Sequence, residues 1–265
     1  MQLRDLNRYG ISERIIELWR KRQGELLLPI QRRAIRHGLL DRLAADRKRR
    51  NRVISAPTSA GKSFCAELAA ARALGEQRRV VMLFPLRSLA EEKFRLFRRT
   101  YGPLGIKCLI LTGDRHEYDR AFAAGDYHIA LAIHEKFDLA LTNRLDQLRN
   151  IGLVVVDEIQ MISEPGRGAG LERLLTKILA SAYRPEIIAL SAVLGERRIE
   201  PLIEWLEADL VEETARPRDL IRGIAADGRF NFRSYNDGFD GAEPFESAYA
   251  GDADDQAKVL ARRIK

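Results

Sequence analysis

Residues 51–68 read NRVISAPTSAGKSFCAEL, a short apolar strand, then a glycine-containing loop, then a helical pattern. That order builds an anion cradle. The backbone N–H groups of Ser59, Ala60, Gly61 and Lys62 converge on one point, and Gly61 carries no Cβ to block a phosphate. The helix opening at this loop adds the positive end of its dipole. The loop from Thr58 to Ser63 is therefore expected to hold a nucleoside triphosphate, with Lys62 on the terminal phosphates and the Ser63 hydroxyl on a magnesium ion. The first glycine of the usual phosphate loop is Ala56 here.

A second run, IGLVVVDEIQMI at 151–162, supplies the other half of such a site. Its apolar stretch from Leu153 to Val156 fits a strand buried on both faces of a parallel sheet, with Asp157 and Glu158 at the carboxyl end. Open α/β sheets bind ligands at that edge. Asp157 is expected to hold the magnesium and Glu158 to orient and deprotonate the attacking water.

Other strand-like runs fall at Arg52–Ala56, Val80–Phe84, Cys108–Thr112, His128–Ile133 and Ile187–Ser191. Amphipathic segments at Ser63–Leu74, Arg87–Thr100 and Leu171–Ser181 lie between strands. Alternation of this kind predicts an α/β fold, a parallel sheet with helices on both faces.

The segments LLLPIQRRAI, APTSAGKS, FPLRSLAEEKF, TGD, AIHEKFDLAL, DEIQMI, RGAGLERLLTKI and ALSAVLG follow one another in the order and rough spacing of superfamily-two DExH-type helicases. The chain most resembles the branch holding archaeal DNA-repair helicases and superkiller-type RNA helicases, over about Leu6 to Gly223. Each segment is weak alone; the ordered set is specific. The resemblance implies a RecA-like ATP-binding domain at 51–224, preceded at 1–50 by helices with an adenine-reading glutamine. A hairpin, an acidic linker and the start of a second RecA-like domain are expected at 225–265.

The resemblance also implies roles for single residues. Gln31 would read the adenine edge, which an amide suits because it both donates and accepts. Pro85, Arg87, Gly113, Glu135 and Lys136, at successive strand ends, would grip a nucleic-acid strand. Gln160, Ser191 and Val193 would couple hydrolysis to that strand. Two of these depart from the family pattern: Gln160 stands where a histidine is usual, and Val193 replaces a threonine with a side chain that cannot hydrogen-bond. Coupling is expected to be altered while ATP binding survives.

The net charge of +7 favours a polyanionic partner. The run DRKRRNR reads as a phosphate-contacting patch or, more simply, as a solvated turn. Cys65 and Cys108 are isolated, without metal spacing, which fits a reducing compartment and small core side chains. No stretch approaches the roughly 18–20 apolar residues of a membrane span. A cytoplasmic or nucleoid-associated protein is expected.

The acidic stretch from Asp237 to Asp255 reads as a linker. The second RecA-like domain and its arginine finger, typically worth about 10³–10⁵ in turnover, do not occur in the sequence. The expectation is thus a truncated motor domain of an ATP-dependent helicase or translocase, slow by itself, working with ATP, Mg²⁺ and a second RecA-like domain in cis or in trans. Single-stranded or partly duplex nucleic acid, DNA ahead of RNA, is its expected partner. The alternative is a degenerate nucleotide-binding scaffold that recruits partners without unwinding.

Overall fold

The computed structural model describes all residues except 42–49, 114, 143, 193–195, 217–218, 227–228 and 245–265. Val193, Asp114, most of the basic run and the last part of the acidic stretch therefore lie outside the described residues. The chain folds as two compact units, Met1–Thr214 and Ala215–Lys265.

The first unit opens with a 3₁₀ turn at Leu3–Tyr9, then helices α1 (Glu13–Gln23) and α2 (Pro29–Arg36). Strands and helices then alternate: β1 (Asn51–Ser55), α3 (Lys62–Gly75), β2 (Arg79–Phe84), α4 (Arg87–Tyr101), β3 (Cys108–Leu111), α5 (Asp119–Ala124), β4 (Ile129–Ile133) and α6 (His134–Leu141). The series continues through β5 (Ile151–Val156), α7 (Arg167–Ala180), β6 (Glu186–Ser191), α8 (Glu196–Trp205) and β7 (Ala208–Glu212). The seven strands form one sheet in the order β3-β4-β2-β5-β6-β1-β7. Every pairing in it is parallel.

Period-two alternation sends the two faces of each strand into different cores. Ile54, Met82, Phe84, Leu153, Val155 and Leu190 pack with helices α1 to α4. Val53, Val81, Leu83, Val154, Val156 and Ile187 pack with α6, α7 and α8. Strands buried on both faces are what the continuous apolar runs of the sequence require.

Several buried polar side chains tie the elements of this unit together. Trp19 Nε1 donates to the Tyr101 hydroxyl at 2.8 Å, Tyr101 donates to Glu67, and Arg22 meets the same carboxylate at 2.7 Å. This network joins α1, α3 and α4, and it accounts for Trp19 as a packing residue. At the amino-terminal edge of the sheet, Glu186 is buried between two guanidinium groups. Arg52 lies 2.6 Å from it, Arg72 pairs with its other oxygen, and Arg72 also donates to the Leu39 carbonyl at 2.6 Å. The triad fastens the segment after α2 to β1 and β6.

The second unit contains β8 (Ile221–Ala226), β9 (Arg229–Ser234) and β10 (Asp240–Pro244), an antiparallel sheet in the order β10-β9-β8. Part of the acidic stretch from Asp237 is thus a strand. The ring of Phe232 explains it, because Gly241 opposite leaves room for that ring: a Cβ there would lie 2.5 Å from Phe232 Cζ.

Candidate ATP site and strand-end interface

β1 ends at Ser55, and the loop to α3 curls through two left-handed residues, Ser59 at φ +68° and Gly61 at φ +92°. Lys62, the first residue of α3, folds across this loop, donating to the Ala56 carbonyl at 2.6 Å and the Pro57 carbonyl at 3.1 Å. The N–H groups of the first turn of a helix have no intrahelical acceptor. In α3, however, the Phe64 N–H turns back to the Gly61 carbonyl at 3.1 Å, and in the loop the Ala60 N–H donates to the Pro57 carbonyl at 3.1 Å. Thr58 and Ser59 are exposed, Ala60 is buried, and Ser63 is exposed one residue inside α3.

Gln31 reaches this loop from α2. It occupies the third helical position after Pro29, where its Oε1 accepts the Leu28 N–H at 2.9 Å as a cap. Its Nε2 donates to the Gly61 carbonyl at 3.2 Å. The side chain is buried, with both ends of its amide engaged by the protein. A Cβ at position 61 would lie 2.4 Å from Gln31 Nε2 and 2.7 Å from Leu28 Cδ1. Gly61 is thus required twice, for its backbone conformation and for the approach of Gln31.

Asp157 and Glu158 follow β5, two strands away from β1. Asp157 is held by its N–H to the Leu83 carbonyl at 2.9 Å, and its Oδ1 accepts the Glu158 N–H at 3.1 Å. Burial, reinforced by the Glu158 charge, raises the Asp157 carboxyl above the usual range; Lys93 and Lys62 oppose that rise. Glu158 sits in the left-handed region at φ +51°, a conformation non-glycine residues hold where the surroundings enforce it. Gln160 donates from Nε2 to the Glu158 carboxylate, and the Ser191 hydroxyl donates to Gln160 Oε1 at 3.1 Å. The Ser191 carbonyl accepts the Ala56 N–H at 3.2 Å. Ser191, on the intervening strand β6, therefore touches the phosphate loop through its backbone and the Glu158 side through its hydroxyl.

The remaining strand ends, those of β2, β3 and β4, are neighbours at one side of the sheet. They carry Pro85 and Arg87, Gly113, and Glu135 and Lys136. Arg167, at the start of α7, donates to the Pro85 carbonyl and lies 3.8 Å from Glu135, so it spans two of these ends. Lys136 is mostly buried, with Nζ 2.9 Å from Asp119 and 3.4 Å from His116 Nδ1. His134 is buried beside them. Desolvation lowers its pKa, Arg167 adds to the shift, and Glu135 and Asp138 oppose it, so the imidazole is neutral near pH 7.

The sequence-derived residues thus fall into two groups on one edge: Gln31, the phosphate loop, Asp157, Glu158, Gln160 and Ser191 in one, and Pro85, Arg87, Gly113, Glu135 and Lys136 in the other. Arg167 and Lys93 join them without having been singled out in the sequence. Arg167 had a signal, an arginine between glycines at the mouth of a helix; Lys93 is one lysine on an amphipathic helix and had none.

Among the described residues, no three His, Cys, Asp or Glu side chains cluster to enclose a metal. Magnesium suits such a setting, since it is usually held by one or two carboxylate or hydroxyl groups with phosphates and water. No described helix is long and apolar enough to cross a membrane.

Comparison with known proteins agrees with this arrangement. Residues 28–202 match the DEAD/DEAH box helicase family. Among curated proteins, the chain is 40% identical over 219 residues to an ATP-dependent DNA helicase Hel308 of Pyrococcus horikoshii, covering 82% of this chain and 28% of that protein. The Pyrococcus abyssi relative of the same name is 37% identical over 248 residues, 93% of this chain and 32% of its own length. That of Thermococcus kodakarensis is 37% identical over 215 residues, 81% of this chain and 18% of its own. The chain thus spans about a third or less of the length of these relatives. The family match runs from the helix that carries Gln31 to the helix beyond Ser191, enclosing both groups of strand-end residues, and on that ground the chain belongs to the DEAD/DEAH box helicase family.

Proposed function

We propose that this chain is the ATP-binding motor domain of an ATP-dependent DNA helicase or translocase, using ATP and Mg²⁺. The observation that carries the reading is the Ser191 bridge, which ties the Lys62 loop to the Glu158 carboxylate across β6. The loop residues Thr58 to Lys62 bind and orient the phosphates, and Ser63 and Asp157 would hold the metal, which would supply positive charge to offset that of the phosphates. Glu158 takes the proton of the attacking water as its oxygen bonds to the γ-phosphorus and the bond to the bridging oxygen breaks.

Adenine recognition by Gln31 requires its amide to release the Gly61 carbonyl or the Leu28 N–H. Lys136 likewise must leave Asp119 before it meets a phosphate. Pro85, Arg87, Gly113 and Glu135 complete the strand-end contact with single-stranded or partly duplex DNA; Gln160, Ser191 and Val193 pass the state of one group to the other. Translocation calls for a second RecA-like domain that closes on the first around ATP, in cis or in trans. The relatives' names support DNA as the polymer, and a cytoplasmic or nucleoid-associated setting follows from that substrate.

The test is nucleotide binding by this chain, followed with a fluorescent ATP analogue and competed with ATP or GTP. Wild type and Glu158→Gln should bind and prefer ATP, whereas Lys62→Ala should lose binding with its melting temperature unchanged. Binding retained by Lys62→Ala counts against the site.

A further inference from the structure

The three-stranded sheet of the second unit has two unlike faces. On one, the rings of Phe230 and Phe232 stack with centroids 5.6 Å apart, and Gly223 and Gly241 stand opposite Phe232 on the flanking strands. This face is filled by aromatic packing over glycines. Strand alternation places Arg229, Asn231 and Arg233 of β9 on the other face, and cross-strand register adds Arg222 and Ile224 from β8 and Asp240 from β10. Arg222 and Arg229 are exposed, the Arg233 side chain is 70% exposed, and Ile224 between them is 73% exposed.

Arg222 and Arg233 are direct cross-strand partners. Like charges in that position cost stability. Among the described residues, the carboxylate near this cluster is Asp240, 3.9 Å from Arg233, and it opposes one charge of three. The arrangement is therefore poorly suited to holding the sheet together and well suited to a polyanion. Arg229 and Arg233 lie four residues apart on one strand, about 14 Å at the usual rise, so the cations form a row rather than a point. A row of guanidinium groups fits the successive phosphates of an extended chain better than a single anion.

We infer that the face carrying Arg222, Arg229 and Arg233 binds the phosphodiester backbone of single-stranded DNA, as a contact separate from the strand ends of the first unit. The backbone chemistry stands on the arginine row; the choice of DNA rests on the function proposed above.

The experiment is anisotropy of a labelled oligo-dT strand with the full chain, without nucleotide, across a salt series. Wild type is compared with a variant carrying Arg222→Ser, Arg229→Ser and Arg233→Ser, and with one carrying lysine at the same three positions. Single-strand contacts contribute about 0.7 each to the log–log salt slope, so the serine variant should be shallower by about 2 while the lysine variant keeps the wild-type slope. A serine variant with the wild-type slope overturns the inference. So does a lysine variant that falls with the serine one, since charge would then not be the cause. Oligo-U or polyglutamate showing the arginine-dependent slope in place of oligo-dT would overturn the assignment in favour of RNA or of an acidic protein. Nucleotide binding by Lys62→Ala, measured on the same preparations, reports on the ATP site independently.

Discussion

The Gln160 amide donates to the Glu158 carboxylate and accepts, through its oxygen, the Ser191 hydroxyl. A neutral amide thus orients the proposed general base without competing for its proton. Gln160→Ala should leave KM for ATP unchanged and lower DNA-stimulated kcat by about tenfold or more, as expected when a general base loses its position. Gln160→Glu replaces the donating amide with a second carboxylate that repels Glu158, so its kcat should fall at least as far as that of Gln160→Ala, with nucleotide binding retained.

Gly61 is confined by Gln31 as well as by its own backbone. Gly61→Ala should destabilise the first unit by about 1–3 kcal/mol, a range typical of a strained backbone conformation. Adding Gln31→Ala should recover only part of that loss, because it removes the clash with Gln31 and leaves both the clash with Leu28 and the positive φ. Chemical denaturation of the two variants, side by side, measures the division.

Glu186 neutralises two arginines deep in the fold. Glu186→Ala leaves both guanidinium groups buried without their carboxylate, and a loss of about 3–5 kcal/mol in unfolding free energy is expected from urea titration. Nucleotide affinity of the protein that remains folded should be unaffected, since the triad lies at the edge opposite the phosphate loop.

Asp157 carries a carboxyl raised by burial and by Glu158. The folded state therefore holds this proton more tightly than the unfolded chain. The stability it contributes is complete below the ordinary carboxylate pKa and is lost as pH rises through the folded value. Asp157→Asn should raise the melting temperature at pH 7, and the gain should shrink toward zero below about pH 4. Hydrolysis should be lost in the same variant. Asp138 behaves oppositely: burial pushes its carboxyl up, but hydrogen bonds from Lys177 and Arg173 prevail and hold it low. Its stabilisation is present above the ordinary carboxylate pKa and disappears as pH falls through the folded one.

Six strands and the principal helices are legible in the sequence because double burial writes itself as an unbroken apolar run. Ile187–Ser191 and Val80–Phe84 lie within one residue of the observed strands β6 and β2. β7 is not legible. As an edge strand it is largely half-buried, and ADLVE contains three acidic or small residues among five. The phosphate loop and the Asp157–Glu158 pair are legible for a different reason: their chemistry fixes residue types at short spacing. The links between them are long-range. Nothing local marks Ser191 as the partner of Gln160, Arg167 as the partner of Pro85, or Glu186 as the anion shared by Arg52 and Arg72. The sequence alone also left Gln31 free to read a base, whereas the fold engages its amide at both ends.

The position of β1 has a consequence for biosynthesis. Its neighbours are β6 and β7, so the partners of Arg52 begin at Ile188 and Asp209. As the nascent chain leaves the ribosome, the β1 segment emerges early and waits, unpaired on both sides, until nearly the whole first unit has been translated. Such late, non-local pairing is slow and leaves a strand open to aggregation meanwhile. The nucleotide pocket is therefore among the last features of the unit to mature, and the first appearance of nucleotide binding in a stalled-ribosome series would mark the docking of β6.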